Sequence, residues 1–389
     1  MKILSISTIL PIPDVFKTND FVFQTYINYK KLYCEDHVVI IKPVKLSFHL
    51  FDILGKRTRL QRLKKQFQLS IHGFQVEIFP FLSSWGFRNL HSILTRSIFY
   101  LNRSRIKYLL ASNQFDIIHA QYIFSDGMLA YLINKKFGIP YFITSHNERY
   151  YFNHFLSRRM AIQILRNANK VTPINWTNAD YFKSVGLKNI ELTPLGFGKA
   201  FIKPQKAANT DKVRLLTISA LIKLKNIDKV IFSIKDLVHQ YDISYTIIGS
   251  GPEREKLEEL AREHHLTHHI NFCEYVPHER IAEEMYRYDI FIMPSYFETF
   301  GRVYFESMAM GIPIICAKNS GIFGFFKEGE EGISVDHENI EEITKALEFL
   351  IARPEERKRI GMNGQKLVMK HTWEHVVKAL HEKYKLAAH

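Results

Sequence analysis

Short apolar runs rich in β-branched residues recur along this chain, each followed by helical periodicity, and the series runs through twice. In the first half the runs Lys2–Thr8, His37–Ile41, Asp116–Ala120, Pro140–Thr144, Val171–Pro173 and Ile190–Thr193 read as strands, with helices at Phe21–Leu32 and Gly127–Phe137. In the second half strands are expected at Val213–Ile218, Tyr245–Ile248, Ile270–Phe272, Ile290–Met293 and Ile314–Ile315. Helices are expected there at Asn226–Tyr241, Glu253–His264, Glu338–Ala352 and Pro354–Val368. Strands that are apolar throughout, alternating with helices, build a parallel sheet covered on both faces. Between the two series Phe201–Lys212 turns polar and reads as a linker.

The expected fold is therefore α/β, with two Rossmann-like doubly wound domains facing a central cleft. The expected domains are 1–203 and 211–372, with the amphipathic segment 373–389 packing back on the first. A chain of 389 residues suits two cores better than one. Ligands of such sheets bind at the carboxyl ends of the strands, so the cleft is the default site.

Composition excludes several classes. Hydrophobic residues make up 46% of the chain, mean hydropathy is −0.13, and no apolar run approaches the roughly 20 residues that cross a bilayer. The opening MKILSISTILPIP has a single Lys, a short apolar core and no small-residue cleavage site, which fits a buried strand better than a signal peptide. Cys34, Cys273 and Cys316 are far apart and lack metal-ligand spacing, so they read as small buried apolar residues in a reducing cytoplasm.

Charge is lopsided. Residues 1–200 carry 27 Lys and Arg against 11 Asp and Glu, while the remainder carries 26 against 28. The densest stretch is Lys56–Lys65, and Phe81, Trp85, Phe87, Leu90, Ile93, Leu94, Ile98, Phe99 and Leu101 alternate downstream with Arg88, Arg96, Arg103, Arg105 and Lys107. Such a pattern reads as a basic amphipathic helix suited to an anionic membrane surface, at the inner face of the cytoplasmic membrane; its bland counterpart is a helix with a solvated basic face. No nucleic-acid partner is indicated.

Two segments of the second half carry chemistry. Gly249-Ser250-Gly251 follows a buried strand and precedes a helix, where glycines let backbone approach a ligand, though a tight strand–helix turn explains them equally well. The segment from Pro294 to Pro313 is more specific. Glu298 lies just beyond the strand Ile290–Met293, Gly301 opens a helix, and Glu306 falls in that helix's first turns. Two carboxylates bracketing free backbone N–H groups suit a ligand with hydroxyls at both ends and a phosphate between.

Glu298 and Glu306, eight positions apart, match the E-x7-E signature of retaining GT-B glycosyltransferases, and the surround resembles family 4 (glycosyl transferases group 1). Lys2–Thr8, Phe115–His119, Asp126-Gly127, Thr144-Ser145-His146, Pro194-Leu195-Gly196 and Thr372-Trp373-Glu374 resemble that family's landmarks in the same order. The resemblance implies a hexosyltransferase moving a sugar from a UDP- or GDP-sugar to a hydroxyl of a glycan or lipid-linked acceptor, with no metal or other cofactor. It implies that Glu298 holds the donor sugar's hydroxyls, that Lys225 supports the diphosphate, and that His146 approaches the donor sugar from across the cleft. It further implies that Glu306 holds the ribose, that Gly301, Arg302 and Val303 offer backbone donors to the diphosphate beside Thr299 and Phe300, and that Gly249 and Gly251 flank the nucleotide. The absence of any Asp-x-Asp motif agrees with metal independence.

The chain departs from the family pattern in places. Ala220 stands where an Arg usually partners Lys225, Asn226 follows that lysine where the family has Gly, and Thr18–Phe21 lacks the paired glycines of the first loop. Ser320–Gly324 lacks the usual Glu, and Pro194–Gly198 departs from "PNGVD". These losses leave two rivals: a degenerate member acting as a nucleotide- or glycan-binding partner subunit, and a nucleotide-sugar 2-epimerase. A nicotinamide dehydrogenase is disfavoured because no G-x-G-x-x-G follows the first strand.

Overall fold

The computed structural model describes residues 1–11, 21–47, 68–83, 93–146, 148–204 and 212–388. The basic run Lys56–Lys65, the first loop at 18–20, Trp85, Phe87, Arg88 and Leu90, and most of the linker lie outside the described residues. The chain packs as two units. One comprises Met1–Ile174, Asn178–Pro194 and Glu374–His389, and the other Asn175–Thr177 and Leu195–Trp373.

The first unit is built on strands β1 (Lys2–Ile6), β2 (His37–Ser47), β3 (Gln68–Ile71), β4 (Phe74–Ser83), β5 (Ile117–Ala120), β6 (Tyr141–Ser145) and β7 (Lys170–Pro173). They lie in the order β3-β4-β2-β1-β5-β6-β7, parallel except for the antiparallel β3–β4 pair. That hairpin turns through His72 and Gly73, whose φ values of 50° and 76° make the two-residue turn that matches strand twist. β5 is buried at all four positions, as a strand covered on both faces should be. The helix Met128–Phe137 ends where Gly138 adopts φ 77°.

Three local expectations are corrected. Ile190–Thr193 is no strand: only Ile190 bridges, to Val171. The basic amphipathic helix is not continuous over the described residues, where Phe81 lies on β4 and the residues from 97 onward divide into helices Ser97–Leu101 and Arg103–Asn113. At the break between them, Asn102 donates from Nδ2 to the carbonyls of Pro80 (2.9 Å) and Ile98 (2.7 Å). Among the cysteines Cys316 is buried, but Cys34 is exposed and Cys273 only partly covered.

The second unit carries β8 (Val213–Ile218), β9 (Ile243–Ile248), β10 (Ile270–Cys273), β11 (Ile290–Met293), β12 (Ile314–Ala317) and β13 (Ile333–Val335). They form a parallel sheet in the order β10-β9-β8-β11-β12-β13. The expected helix Asn226–Tyr241 is shorter, ending at Ile234 before a separate turn at Leu237–His239. Helix Ile340–Ala352 is capped by Asn339, which accepts from Glu342 N, and Pro354 opens the next helix, where its missing N–H costs nothing.

The last helix, Trp373–Ala388, closes the first unit's core through polar contacts as well as apolar ones. His119 Nδ1 meets the hydroxyls of Tyr384 (2.5 Å) and Tyr26 (3.0 Å). Tyr29 bonds His381 at 2.7 Å, and Lys383 reaches Glu191 at 2.9 Å. Among the described residues no helix is long and apolar enough to cross a membrane.

Candidate active site

The order of the second sheet reverses between β8 and β11: the chain lays down β9 and β10 on one side of β8, then crosses to β11. Loops leaving the carboxyl ends of two such strands diverge and leave a crevice where ligands of doubly wound sheets bind. The loop after β8 carries Lys225 and the loop after β11 carries Glu298, and Lys225 Nζ is ion-paired with Glu298 Oε2. Both side chains are largely covered, at 14% and 18% exposure.

The two loops are stitched together by their backbones. Tyr296 N donates to Leu224 O at 2.9 Å. Asn226 sits in the left-handed region (φ 52°, ψ 38°), which asparagine tolerates, and its Nδ2 donates to Pro294 O (3.0 Å) and His337 O (3.2 Å). Asn226 thus supplies the turn that a glycine would, and adds a staple that glycine lacks.

Glu298 is held between two glycines. Gly301 has φ +74°, and a Cβ there would lie 2.6 Å from the Tyr304 ring and 3.0 Å from Glu298 Cγ. A Cβ on Gly321 would lie 3.3 Å from Glu298 Cβ, and Gly321 N donates to Glu298 O at 3.1 Å. Thr299 N bonds Glu298 Oε1 at 3.2 Å, while Thr299 O accepts from Asn175 Nδ2 at 2.7 Å. The Phe300 ring is buried against Phe305 and Phe325, with centroids at 4.9 and 5.6 Å. Helix Arg302–Ala309 then begins, anchored to the strand end by the Tyr304 hydroxyl on Met293 O. Its N-terminus points N–H groups of Arg302 and Val303 outward, a favourable place for an anion.

Glu306 is nearly fully covered, at 3% exposure. Its Oε1 takes His278 Nε2 at 2.9 Å and Arg302 Nη2 at 3.1 Å. Sequence reasoning missed His278, because nothing in an exposed histidine at a helix start announces a partner 28 positions away.

Gly249 and Gly251 sit where two backbones meet. A Cβ on Gly249 would lie 1.9 Å from Ser219 O, and one on Gly251 would lie 2.3 Å from Leu221 O. The loops after β8 and β9 press together here, with Leu221 N on Ser250 O at 2.9 Å. Gly249 N is already engaged by Cys273 O at 3.1 Å. Close packing of the two backbones calls for glycine at both positions.

His146 belongs to the first unit, directly after β6. It is 3% exposed, its ring lies 5.0 Å from that of Tyr122, and its carbonyl accepts from Asn178 Nδ2 at 2.7 Å. Burial pushes the ring down to about 3, so it is neutral near pH 7. Nearby polar groups are equally enclosed. Burial raises Asp126 to about 7 and Glu148 to about 8, and lowers Lys42 to about 8. Asp126 accepts from Thr8 N at 3.0 Å, tying β1's end to the turn Ile123–Gly127, in which Ser125 has φ 60°. Ala220 is exposed. Among the described residues no group of three or more His, Cys, Asp or Glu is arranged to hold a metal ion.

The landmark motifs also touch. A Cβ on Gly196 would lie 2.6 Å from the Trp373 ring, and Trp373 N donates to Phe197 O at 3.1 Å. Two largely parallel sheets, the second with this loop chemistry at its switch point, define a doubly wound α/β protein of two Rossmann-like units. Comparison with known proteins makes the class specific. Residues 198–367 match the family "Glycosyl transferases group 1" and residues 46–197 match "Glycosyltransferase Family 4". The chain belongs to the group 1, family 4 glycosyltransferases of GT-B fold. It is 26% identical over 302 residues to an uncharacterized glycosyltransferase of Methanocaldococcus jannaschii, covering 74% of this chain and 81% of that one. It is also 26% identical over 304 residues to a D-inositol 3-phosphate glycosyltransferase of Corynebacterium urealyticum, covering 70% and 71%. Among solved structures, an Anabaena protein in complex with UDP superposes with a TM-score of 0.72 at 16% identity, covering 99% of this chain and all (100%) of that one.

Proposed function

We propose that this glycosyltransferase is a retaining hexosyltransferase. It moves a sugar from a UDP- or GDP-sugar to a hydroxyl of a glycan or lipid-linked acceptor, in synthesis of a cell-surface polysaccharide or glycolipid. The observation that carries the reading is the Lys225–Glu298 pair at the strand-order reversal, beside the N-terminus of helix Arg302–Ala309. In this reading Glu298 accepts hydrogen bonds from hydroxyls of the donor sugar, and Glu306 from those of the ribose. Lys225 and the N–H groups of Gly301, Arg302 and Val303 neutralise the diphosphate, whose charge grows as the leaving group departs. Neutral His146 donates a hydrogen bond to the donor sugar.

The transfer balances without a protein nucleophile. The acceptor oxygen bonds to the anomeric carbon on the face that the diphosphate leaves. The breaking bond's electron pair stays on the diphosphate, and the acceptor's proton passes to a phosphate oxygen. No step requires a metal. The basic first half suits an acceptor that is anionic or presented at an anionic membrane surface, and a relative named for D-inositol 3-phosphate is consistent with such an acceptor.

The test is turnover of a panel of UDP- and GDP-sugars with lipid-linked acceptors in anionic vesicles, in EDTA, with product anomers read by proton NMR. Retained configuration in EDTA is expected. Inverted product would contradict the mechanism. Intact nucleotide binding with no turnover would favour a second reading, a partner subunit that only binds nucleotide, which exposed Ala220 makes specific.

A further inference from the structure

His278 opens the helix His278–Met285, and Glu306 lies on the helix Arg302–Ala309. Three atoms from three side chains meet in a triangle: His278 Nε2 is 2.9 Å from Glu306 Oε1 and 3.1 Å from Arg302 Nη2, which is itself 3.1 Å from the same oxygen. Nε2 cannot donate to the carboxylate and accept from the guanidinium at once. With its proton on Nε2 the ring holds Glu306 directly; with its proton on Nδ1 it holds Arg302, which holds Glu306. Either tautomer tethers the carboxylate.

Both contacts fall on Oε1. Among the described residues, Oε2 takes no hydrogen bond. Two neighbours on one oxygen stop the carboxylate from rotating and fix the direction of the other oxygen's lone pairs. Aromatic rings flank them: the Phe201 ring lies 5.5 Å from that of His278, and the Arg302 guanidinium lies 5.9 Å from the Trp373 ring. The Glu306 side chain is 4% exposed while that of His278 is 51% exposed, so the histidine faces solvent and the carboxylate is enclosed.

We propose that His278 is a positioning residue for ribose recognition. With Arg302 it fixes Glu306 so that Oε2 accepts a hydroxyl of a nucleoside diphosphate's ribose, making affinity depend on that hydroxyl. The proposal rests on the reading of Glu306 as the ribose residue. A carboxylate free to rotate would still attract hydroxyls but would lose much of the discrimination, because a hydrogen bond weakens steeply as it departs from alignment.

The experiment measures dissociation constants of UDP and GDP, and of their 2′-deoxy and 3′-deoxy forms, for the full chain and for His278→Ala, His278→Gln and Glu306→Ala. Melting curves accompany each variant to show that it folds. The wild type is expected to prefer the ribo form by about tenfold or more over at least one deoxy form. His278→Ala should collapse that ratio to about threefold or less, chiefly by weakening the ribo form, and His278→Gln should restore part of it. A His278→Ala ratio equal to wild type, or equal losses for ribo and deoxy forms, overturns the proposal. If Glu306→Ala collapses the ratio and His278→Ala does not, the ribose reading stands and this inference alone falls. If Glu306→Ala leaves the ratio intact, or no nucleotide binds, both fall.

Discussion

Lys225 and Glu298 are ion-paired between the two strand ends where the order of the second sheet reverses. Each is the other's main charged contact, and neither is well exposed. An incoming diphosphate would take over Lys225, and a sugar hydroxyl would take over Glu298. The pair therefore competes with the ligand on one side and complements it on the other.

That competition separates sugar from phosphate recognition. Glu298→Gln removes the carboxylate's hold on Lys225 while keeping a hydrogen-bonding side chain of the same shape. UDP or GDP should bind as tightly as to wild type or several-fold tighter, while turnover of the nucleotide-sugar falls by about a hundredfold. Calorimetric titration and initial rates check this. Equal loss of nucleotide binding and turnover would contradict it.

Ala220 is exposed in the loop after β8, where the family pattern carries a cation. Ala220→Arg should strengthen UDP or GDP binding by about tenfold, the scale of one added charge-assisted bond. The gain should shrink with rising salt, as partly exposed ion pairs do. No gain at low salt would mean that the diphosphate does not lie near this position.

Gly249 and Gly251 should behave as packing residues. Alanine at either drives a Cβ into a backbone carbonyl, at 1.9 Å from Ser219 O or 2.3 Å from Leu221 O. A loss of about 2–5 kcal/mol in stability is expected, visible in denaturant unfolding without any ligand. Variants that melt like wild type yet fail to bind nucleotide would show that the glycines serve the ligand instead.

Glu148 is buried, and burial raises it from 4.5 to about 8. In the folded chain it stays protonated while the unfolded chain ionises above 4.5, so its contribution to stability is fully present at low pH and is lost as pH rises toward 8. Glu148→Gln mimics the protonated form. The variant's stability relative to wild type should therefore rise between pH 4.5 and 8, by at most about 1.4 kcal/mol per pH unit, and stay flat below 4.5. Chemical unfolding at several pH values reads it. A difference that does not change with pH would contradict the raised value.

How much of this was legible in the sequence depended on range. β5, β8 and β11 are runs such as IIHA and IFIM, whose pattern is local, and they were read nearly to the residue. Glu298 and Glu306 share one loop and helix, so their spacing carried the signal. The Lys225–Glu298 pair spans 73 positions and needed the sheet order to bring it together. His278 could have been found only by knowing that the start of the helix after β10 reaches the helix after β11. Gly249 and Gly251 were noticed, but a glycine required by a neighbouring backbone looks in sequence like one required by a ligand. The His72-Gly73 hairpin was missed because a left-handed histidine is an uncommon turn residue. His119 sits in a motif of the family, yet its ring binds Tyr26, Tyr384 and Thr144 and serves the last helix's docking.

The most direct test of the central claim is thermal stabilisation by a panel of UDP- and GDP-sugars, on wild type and Glu306→Ala. A ligand at 100 times its dissociation constant stabilises a fold by about 2.7 kcal/mol. The account predicts a rise in Tm with one nucleotide class and its loss in the variant. No rise with any nucleotide-sugar, or an equal rise in Glu306→Ala, would contradict it.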